Sequence, residues 1–185
     1  MTGMGSIAPF VASPLPVVRK MLEFADLKPG ETLYDLGSGD GRIVIMAAKE
    51  FGANGVGIEL NRRLLREAVR KGKEIQIGEK VKFINRNIFD VDLSPANVVT
   101  MYLTTGANEK VRPKLEKELG PGSRIVTHDF SIPGWQPVKN LKFKEGYRSH
   151  TIYLYQIDVD RWLNSVSKLP RIPRNLNSLL YEARA

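Results

Sequence analysis

The chain has 185 residues, 28 of them Lys or Arg against 20 Asp or Glu, for a formal charge of +8 with two histidines and no cysteine. That length accommodates one α/β domain with a buried core, and the cysteine count excludes disulfides, thiolate zinc sites and a cysteine nucleophile. Two histidines leave little for a histidine-based metal site, so no metal is expected, while a pI of about 9.7 favours acidic partners, nucleic acid above all.

In chain order, Ser13 and Pro14 predict a helix start, a capping hydroxyl followed by proline in the first turn. Val17, Val18, Met21 and Ala25 then form one apolar stripe that ends near Lys28. Residues 32–36 read as the first strand, and Val44, Ala47, Ala48 and Phe51 mark the core face of the helix after it. Residues 55–59 read as a second strand, 62–77 as a second crossover helix and 81–85 as a third strand, followed by a loop with Asn87, Ile88, Phe89 and Asp90. The strongly apolar stretch 97–102 is a fourth strand. A helix around Val111, Leu115 and Leu119 follows, with Pro113 in its early part, and 124–128 is a fifth strand introduced by Gly120, Pro121 and Gly122.

Strands alternating with helices require a parallel sheet with right-handed crossovers and helices on both faces. Residues 138–144 and 150–157 are β-type and too close together for anything but a hairpin. The expected architecture is therefore an α/β three-layer sandwich around a seven-stranded, mainly parallel sheet with an antiparallel terminal hairpin. The domain is placed at 1–157 and a basic tail at 158–185, with Pro170 and Pro173 among Lys168, Arg171 and Arg174. Trp162, Leu163 and the leucines at 176, 179 and 180 argue that part of the tail packs, on its own domain or on a twin subunit in a homodimer. The amino-terminal stretch lacks the pattern of a signal peptide and no apolar run reaches bilayer length, so a cytoplasmic protein without membrane contact is expected.

Much of the excess positive charge lies on the second crossover helix, where Arg62, Arg66 and Arg70 recur every four residues opposite Leu64, Leu65, Ala68 and Val69. This reads as a solvated helix face, with an approach surface for nucleic-acid-associated targets as the alternative.

The most specific feature is the run LYDLGSGDGR, residues 33–42, with Glu59 and Leu60 closing the next strand. A dinucleotide fingerprint places its third glycine five residues after the first; here that position is Arg42, and the glycines fall at 37, 39 and 41. Asp35 before the loop and Asp40 within it, beside Ser38, would repel a pyrophosphate. They suit a ligand carrying an ammonium and a sulfonium, such as S-adenosylmethionine, whose carboxylate can take backbone amides at the following helix start. Glu59 then sits where it can accept both ribose hydroxyls.

Five parallel strands and a terminal hairpin, with DLGSGDG after the first strand and an acid after the second, resemble the Rossmann-like S-adenosylmethionine methyltransferases. Three further stretches, FVASPLPVVRKMLEFA, VVTMYLTTGANEKVRPKLEKELGPGSRIVTHDF and SHTIYLYQI, resemble the archaeal protein lysine methyltransferases and their eukaryotic relatives that act on mitochondrial proteins. The central stretch is also similar, more distantly, to the non-SET histone lysine methyltransferases named for disruption of telomeric silencing. The basic tail lies outside this pattern. Adenine-amine methyltransferases typically carry an Asn or Asp, two prolines and an aromatic residue after the fourth strand, where this chain reads Thr100, Met101, Tyr102, Leu103, Thr104.

The resemblance implies methyl transfer to exposed lysines of proteins, including nucleic-acid-associated ones, in which alignment and exclusion of water do most of the work. Tyr102, at the carboxyl end of the fourth strand, is expected to wall the acceptor channel, and Phe10 to act as a lid or to pack in the core. Asn87, Ile88 and Phe89 are expected at the adenine. The family's strand order brings His128 and His150 together at the reactive edge, as a structural pair or as groups that position the substrate or accept a proton. Asp129 is open to two readings, since a carboxylate attracts a lysine cation and opposes its deprotonation. The rival functions are an RNA methyltransferase and a cofactor-binding regulatory protein without turnover.

Overall fold

The computed structural model describes residues 10–167. Seven strands, β1 (Thr32–Leu36), β2 (Asn54–Ile58), β3 (Val81–Ile84), β4 (Val98–Met101), β5 (Arg124–His128), β6 (Lys139–Glu145) and β7 (Arg148–Gln156), form one sheet in the order β3-β2-β1-β4-β5-β7-β6. The first five are parallel, and β7 runs antiparallel to both β5 and β6. This is the expected Rossmann-like arrangement. The five helices are α1 (Leu15–Phe24), α2 (Arg42–Phe51), α3 (Arg62–Glu74), α4 (Thr105–Glu118) and α5 (Val159–Val166). Among the described residues, no helix is long and apolar enough to cross a membrane.

Successive side chains of a strand point to opposite faces, so each central strand feeds two cores. Leu33, Val98, Val126, Ile152 and Leu154 face a cluster completed by α1 and α2, with Val17, Val18, Met21 and Leu22 of α1 fully buried. Tyr34, Leu36, Val99, Met101 and Ile125 face the other cluster, closed by Val111 and Leu115 of α4. Trp162 of α5 packs against this second cluster, so part of the segment after residue 157 lies on the domain itself; residues 168–185 lie outside the described residues. At roughly 2 kcal/mol per buried aliphatic side chain, α1 holds the preceding segment, residues 10–13, firmly over the sheet's carboxyl edge.

Two local expectations change. Ser13 does not cap α1, whose N-cap is Pro14 without a side-chain bond; the serine hydroxyl is used elsewhere. The second crossover helix stops at Glu74, where Gln76 adopts φ 51°. On α3, Ala68 is buried and Arg62, Arg66 and Arg70 are exposed, as a solvated face requires.

Candidate active site

A cavity of about 260 Å³ opens at the carboxyl ends of β1, β2 and β4. Of the predicted site residues, Phe10, Asp35, Gly37, Ser38, Asp40, Glu59, Leu60, Asn87, Ile88 and Tyr102 line it. Gly39 and Gly41 shape it from behind. Gly39 has φ 54°, and a Cβ there would stand 2.2 Å from the Phe10 ring; Gly41, at φ 79°, is the N-cap of α2, where a Cβ would run into Phe83 and Ala68. Both positions therefore demand glycine for conformation and for space. Phe89 departs from expectation: the short turn Ile88–Asp90, capped by Asn87, leaves Phe89 against the α4-side core, away from the cavity.

The three acids differ in environment. Asp35 is 2% exposed, and its carboxyl is pushed up to about 7 by burial; the Thr100 hydroxyl, donating at 2.8 Å, opposes that shift, while Glu59 and Asp40 reinforce it. Asp40 goes the other way. Burial would raise it, but Arg42 and Lys71, both at 2.7–2.9 Å, hold it down at about 2. Its charge is matched within the protein, which corrects the expectation that it faces a ligand cation: the guanidinium two residues on and an ammonium from α3 reach it first. Glu59 accepts from the Gly39 amide at 2.9 Å through one oxygen and from the Asn61 amide at 2.7 Å through the other, fixing its orientation and leaving lone pairs for a ligand.

These residues fit S-adenosylmethionine. A carboxylate whose pKa is raised by its burial, a buried Ser38 hydroxyl without a partner among the described residues, and an oriented acid at the end of β2 are a donor set for a cationic nucleoside. Asp35 would hold the ammonium end and Glu59 the ribose.

Tyr102 forms the far wall. Its ring lies 4.0 Å from that of His128 and 6.2 Å from that of Phe130, and burial, followed by Asp129, raises its pKa. Its hydroxyl donates to Asp129 Oδ2 at 3.5 Å. Outside the cavity, His128 and His150 meet as the strand order implies, Nε2 to Nδ1 at 2.8 Å, and His128 Nδ1 pairs with the Ser13 hydroxyl at 2.8 Å. Asp129 Oδ2 lies 3.4 and 3.5 Å from the two facing nitrogens. Asp129 sits at φ 60°, a strained conformation for a non-glycine residue, and its other oxygen accepts from the Thr151 amide at 2.9 Å.

His128, Asp129 and His150 together have the composition of a metal site. Their geometry is that of a shared proton. The ring centres are 5.0 Å apart with the facing nitrogens 2.8 Å apart, a separation reached only when both nitrogens lie near the line joining the rings. The lone pair of one meets the N–H of the other head on, and no third point lies along both lone pairs, as coordination requires. Burial, above all, lowers the pKa of His128 to about 4, so its ring is neutral at neutral pH.

Three contributors escaped the sequence reading. Thr100 was signalled by its polarity within an apolar buried strand, opposite Asp35 in the β1–β4 register. Ser13 gave a misleading cap signal. Arg148, whose charge works against the upward shift of the Tyr102 pKa, gave no signal at all.

Residues 35–139 match the ANTKMT methyltransferase domain family. A protein-lysine N-methyltransferase of Saccharolobus islandicus (strain REY15A) is 47% identical over 150 residues, covering 80% of this chain and 93% of that protein. The adenine nucleotide translocase lysine N-methyltransferase of Mus musculus is 33% identical over 131 residues, which span 56% of its length. Among solved structures, an RNA methyltransferase from Salinibacter ruber in complex with S-adenosyl-L-homocysteine shares 41% identity at a TM-score of 0.76, covering 90% of this chain and 99% of that one.

Proposed function

The chain belongs to the ANTKMT methyltransferase family and uses S-adenosylmethionine, and from that premise we propose that it is a protein-lysine N-methyltransferase acting on exposed lysines. The observation that carries the acceptor assignment is Tyr102: an aromatic wall at the carboxyl end of β4, where an adenine-amine enzyme would need polar groups for a base. When bound, S-adenosylmethionine supplies a sulfonium-borne methyl group that an amine displaces in line.

The protein's own residues then have three tasks. Asp35 and Glu59 anchor the two ends of the cofactor, Phe10 lies over the loop at Gly39 and excludes water, and Tyr102 borders the path by which a lysine side chain enters. The lysine must arrive neutral, which from a reference pKa of about 10.4 costs roughly 4 to 5 kcal/mol at pH 7. An apolar, aromatic wall reduces that cost by disfavouring the ammonium. In this reading Asp129, His128 and His150 shape the wall behind Tyr102. The protein works in the cytoplasm, its targets include nucleic-acid-associated proteins, and the tail supports a homodimer; these are parts of the same proposal.

A second reading is favoured by one specific observation, the 41% identity to a structure described as an RNA methyltransferase. Transfer of labelled methyl groups into a cell extract, followed by separate protease and nuclease digestion, decides between them. Label released by protease as methylated lysine is the expected result. Label lost only to nuclease overturns the proposal in favour of RNA, and tight cofactor binding without any transfer favours a regulatory protein.

A further inference from the structure

Arg42 stands where a dinucleotide-binding loop has its third glycine, at the first position of α2 and in the wall of the cavity. Its guanidinium serves two partners. Nε and Nη2 donate to the two oxygens of Asp40 at 2.9 and 2.8 Å, a bidentate fork, while Nη1 donates to the Ser13 carbonyl at 2.8 Å. Asp40 also accepts from Lys71 Nζ of α3 at 2.7 Å, so the carboxylate that aims Arg42 is itself fixed.

Ser13 is the point at which the segment over the cavity is held. It is 3% exposed, whereas Phe10 and Val11 before it are each 50% exposed, and Pro14 after it confines it to extended backbone ahead of α1. Its carbonyl goes to Arg42 and its hydroxyl pairs with His128 Nδ1 at 2.8 Å. One residue is thus gripped from two sides: from the glycine loop through Arg42, and from the acceptor wall through His128, whose ring lies 4.0 Å from that of Tyr102. Three residues ahead of it, the Phe10 ring lies against Gly39, where a Cβ would stand 2.2 Å from it. Phe10 and Val11 bury only part of their surface, so the charge-assisted bond at Ser13 sets the position of the segment more than apolar contact does.

Resting on the placement of S-adenosylmethionine in this cavity and on no choice of acceptor, we propose that Arg42 is a positioning residue that latches residues 10–13 over the bound cofactor: its guanidinium, aimed by Asp40, holds the Ser13 carbonyl and so keeps Phe10 on the glycine loop. The latch slows the release of the cofactor and keeps water out while the methyl group moves. It also gives the two acids of the loop separate tasks. Asp35 faces the ligand, and Asp40 aims the latch.

Release of labelled S-adenosylmethionine from the full chain into an excess of unlabelled cofactor measures the latch. Arg42→Gln should release it about tenfold faster, the effect of losing one hydrogen bond from a charged donor, while Lys71 keeps Asp40 paired. In a Phe10→Ala background, where no ring is left to hold in place, the same substitution should change release by less than about twofold. Arg42→Lys keeps a cation beside Asp40 and should melt within about 4 °C of wild type. It should nevertheless release the cofactor several-fold faster, because a compact ammonium does not span the two partners of a planar fork. Unchanged release in Arg42→Gln, or wild-type release in Arg42→Lys, overturns the latch. So does an equal acceleration with and without the Phe10 ring, which would mean that Arg42 acts on the cofactor or the fold directly. Wild type that retains no labelled cofactor overturns the placement of S-adenosylmethionine itself.

Discussion

Replacing Asp35 with Asn is expected to make the protein more stable and less able to hold its cofactor. The Asp35 carboxyl is buried and titrates at about 7 against an ordinary value of 3.8, because burial penalises its charged form more than the Thr100 hydroxyl compensates. Each unit of such a shift corresponds to about 1.4 kcal/mol, so ionising this group inside the folded protein lowers stability by roughly 4 kcal/mol at pH 8. Between pH 3.8 and about 7 the folded state keeps a proton that the unfolded state has released. Stability therefore falls as pH rises through that window and is flat on either side of it. Asparagine has the same shape, still accepts from Thr100 and carries no charge. Without cofactor, Asp35→Asn should melt on the order of 10 °C above wild type at pH 8, at about 2–4 °C per kcal/mol, and the gap should close by about pH 4. Affinity for S-adenosylmethionine should move the opposite way. Removing a carboxylate about 4 Å from a cation at an effective dielectric constant near 20 costs about 4 kcal/mol, or close to a thousandfold in Kd by calorimetry. A variant no more stable than wild type at pH 8 would refute the description of Asp35 as an unmatched buried charge, and retained affinity would refute its place at the ammonium.

Gly39→Ala should weaken cofactor binding about tenfold, since φ 54° costs a non-glycine residue about 1 kcal/mol and the new methyl displaces the Phe10 ring. In a double-mutant cycle Phe10→Ala should recover part of that loss, and strict additivity would show that the ring does not lie over Gly39. Asp40→Asn should destabilise the fold by about 2 kcal/mol, because it strips Arg42 and Lys71 of their shared partner. The pairing lowers the carboxyl to about 2, so its contribution is complete above pH 3.8 and fades as pH falls through 2; the gap in melting temperature should follow that course. Ser13→Ala should cost 1–3 kcal/mol in denaturant titration by leaving His128 Nδ1 buried and unpaired. A cost below 0.5 kcal/mol would mean that the hydroxyl contact contributes little.

What the sequence disclosed and what it hid separate along a physical line. The first and fifth strands were readable to the residue, and so was the glycine loop, because the requirements that mark them are local: apolar runs between turns, and positive φ at 37, 39 and 41. Asp35 was readable as an acid beside that loop, but its raised pKa comes from burial in the folded core, and the Thr100 hydroxyl that opposes it comes from a residue 65 positions away. Asp40 looked equivalent to Asp35 and is its opposite, since Lys71 reaches it from another helix. Ser13 obeyed the local rule for a cap and broke it in the fold, because a buried imidazole left without a partner costs more than a missing cap stabilises.

The acceptor side is harder still, for it is a property of register. Tyr102, Asp129 and His150 come from β4, β5 and β7 or their ends and are brought together because β7 pairs with β5 so that His128 lies opposite Ile152. Slide β7 by one residue, and Ser149 and Thr151 would take the face now held by Arg148 and His150 while the sequence pattern stayed as alternating as before. The Thr151 amide bond to Asp129 and the head-on histidine contact pin that register. The same contacts that lock the hairpin therefore fix Asp129 and the histidine pair behind Tyr102, so a variant that loosens the His128–His150 pair, such as His150→Ala, should lower methyl transfer as well as stability. Unchanged transfer in a destabilised variant would show that the wall behind Tyr102 does not depend on this register.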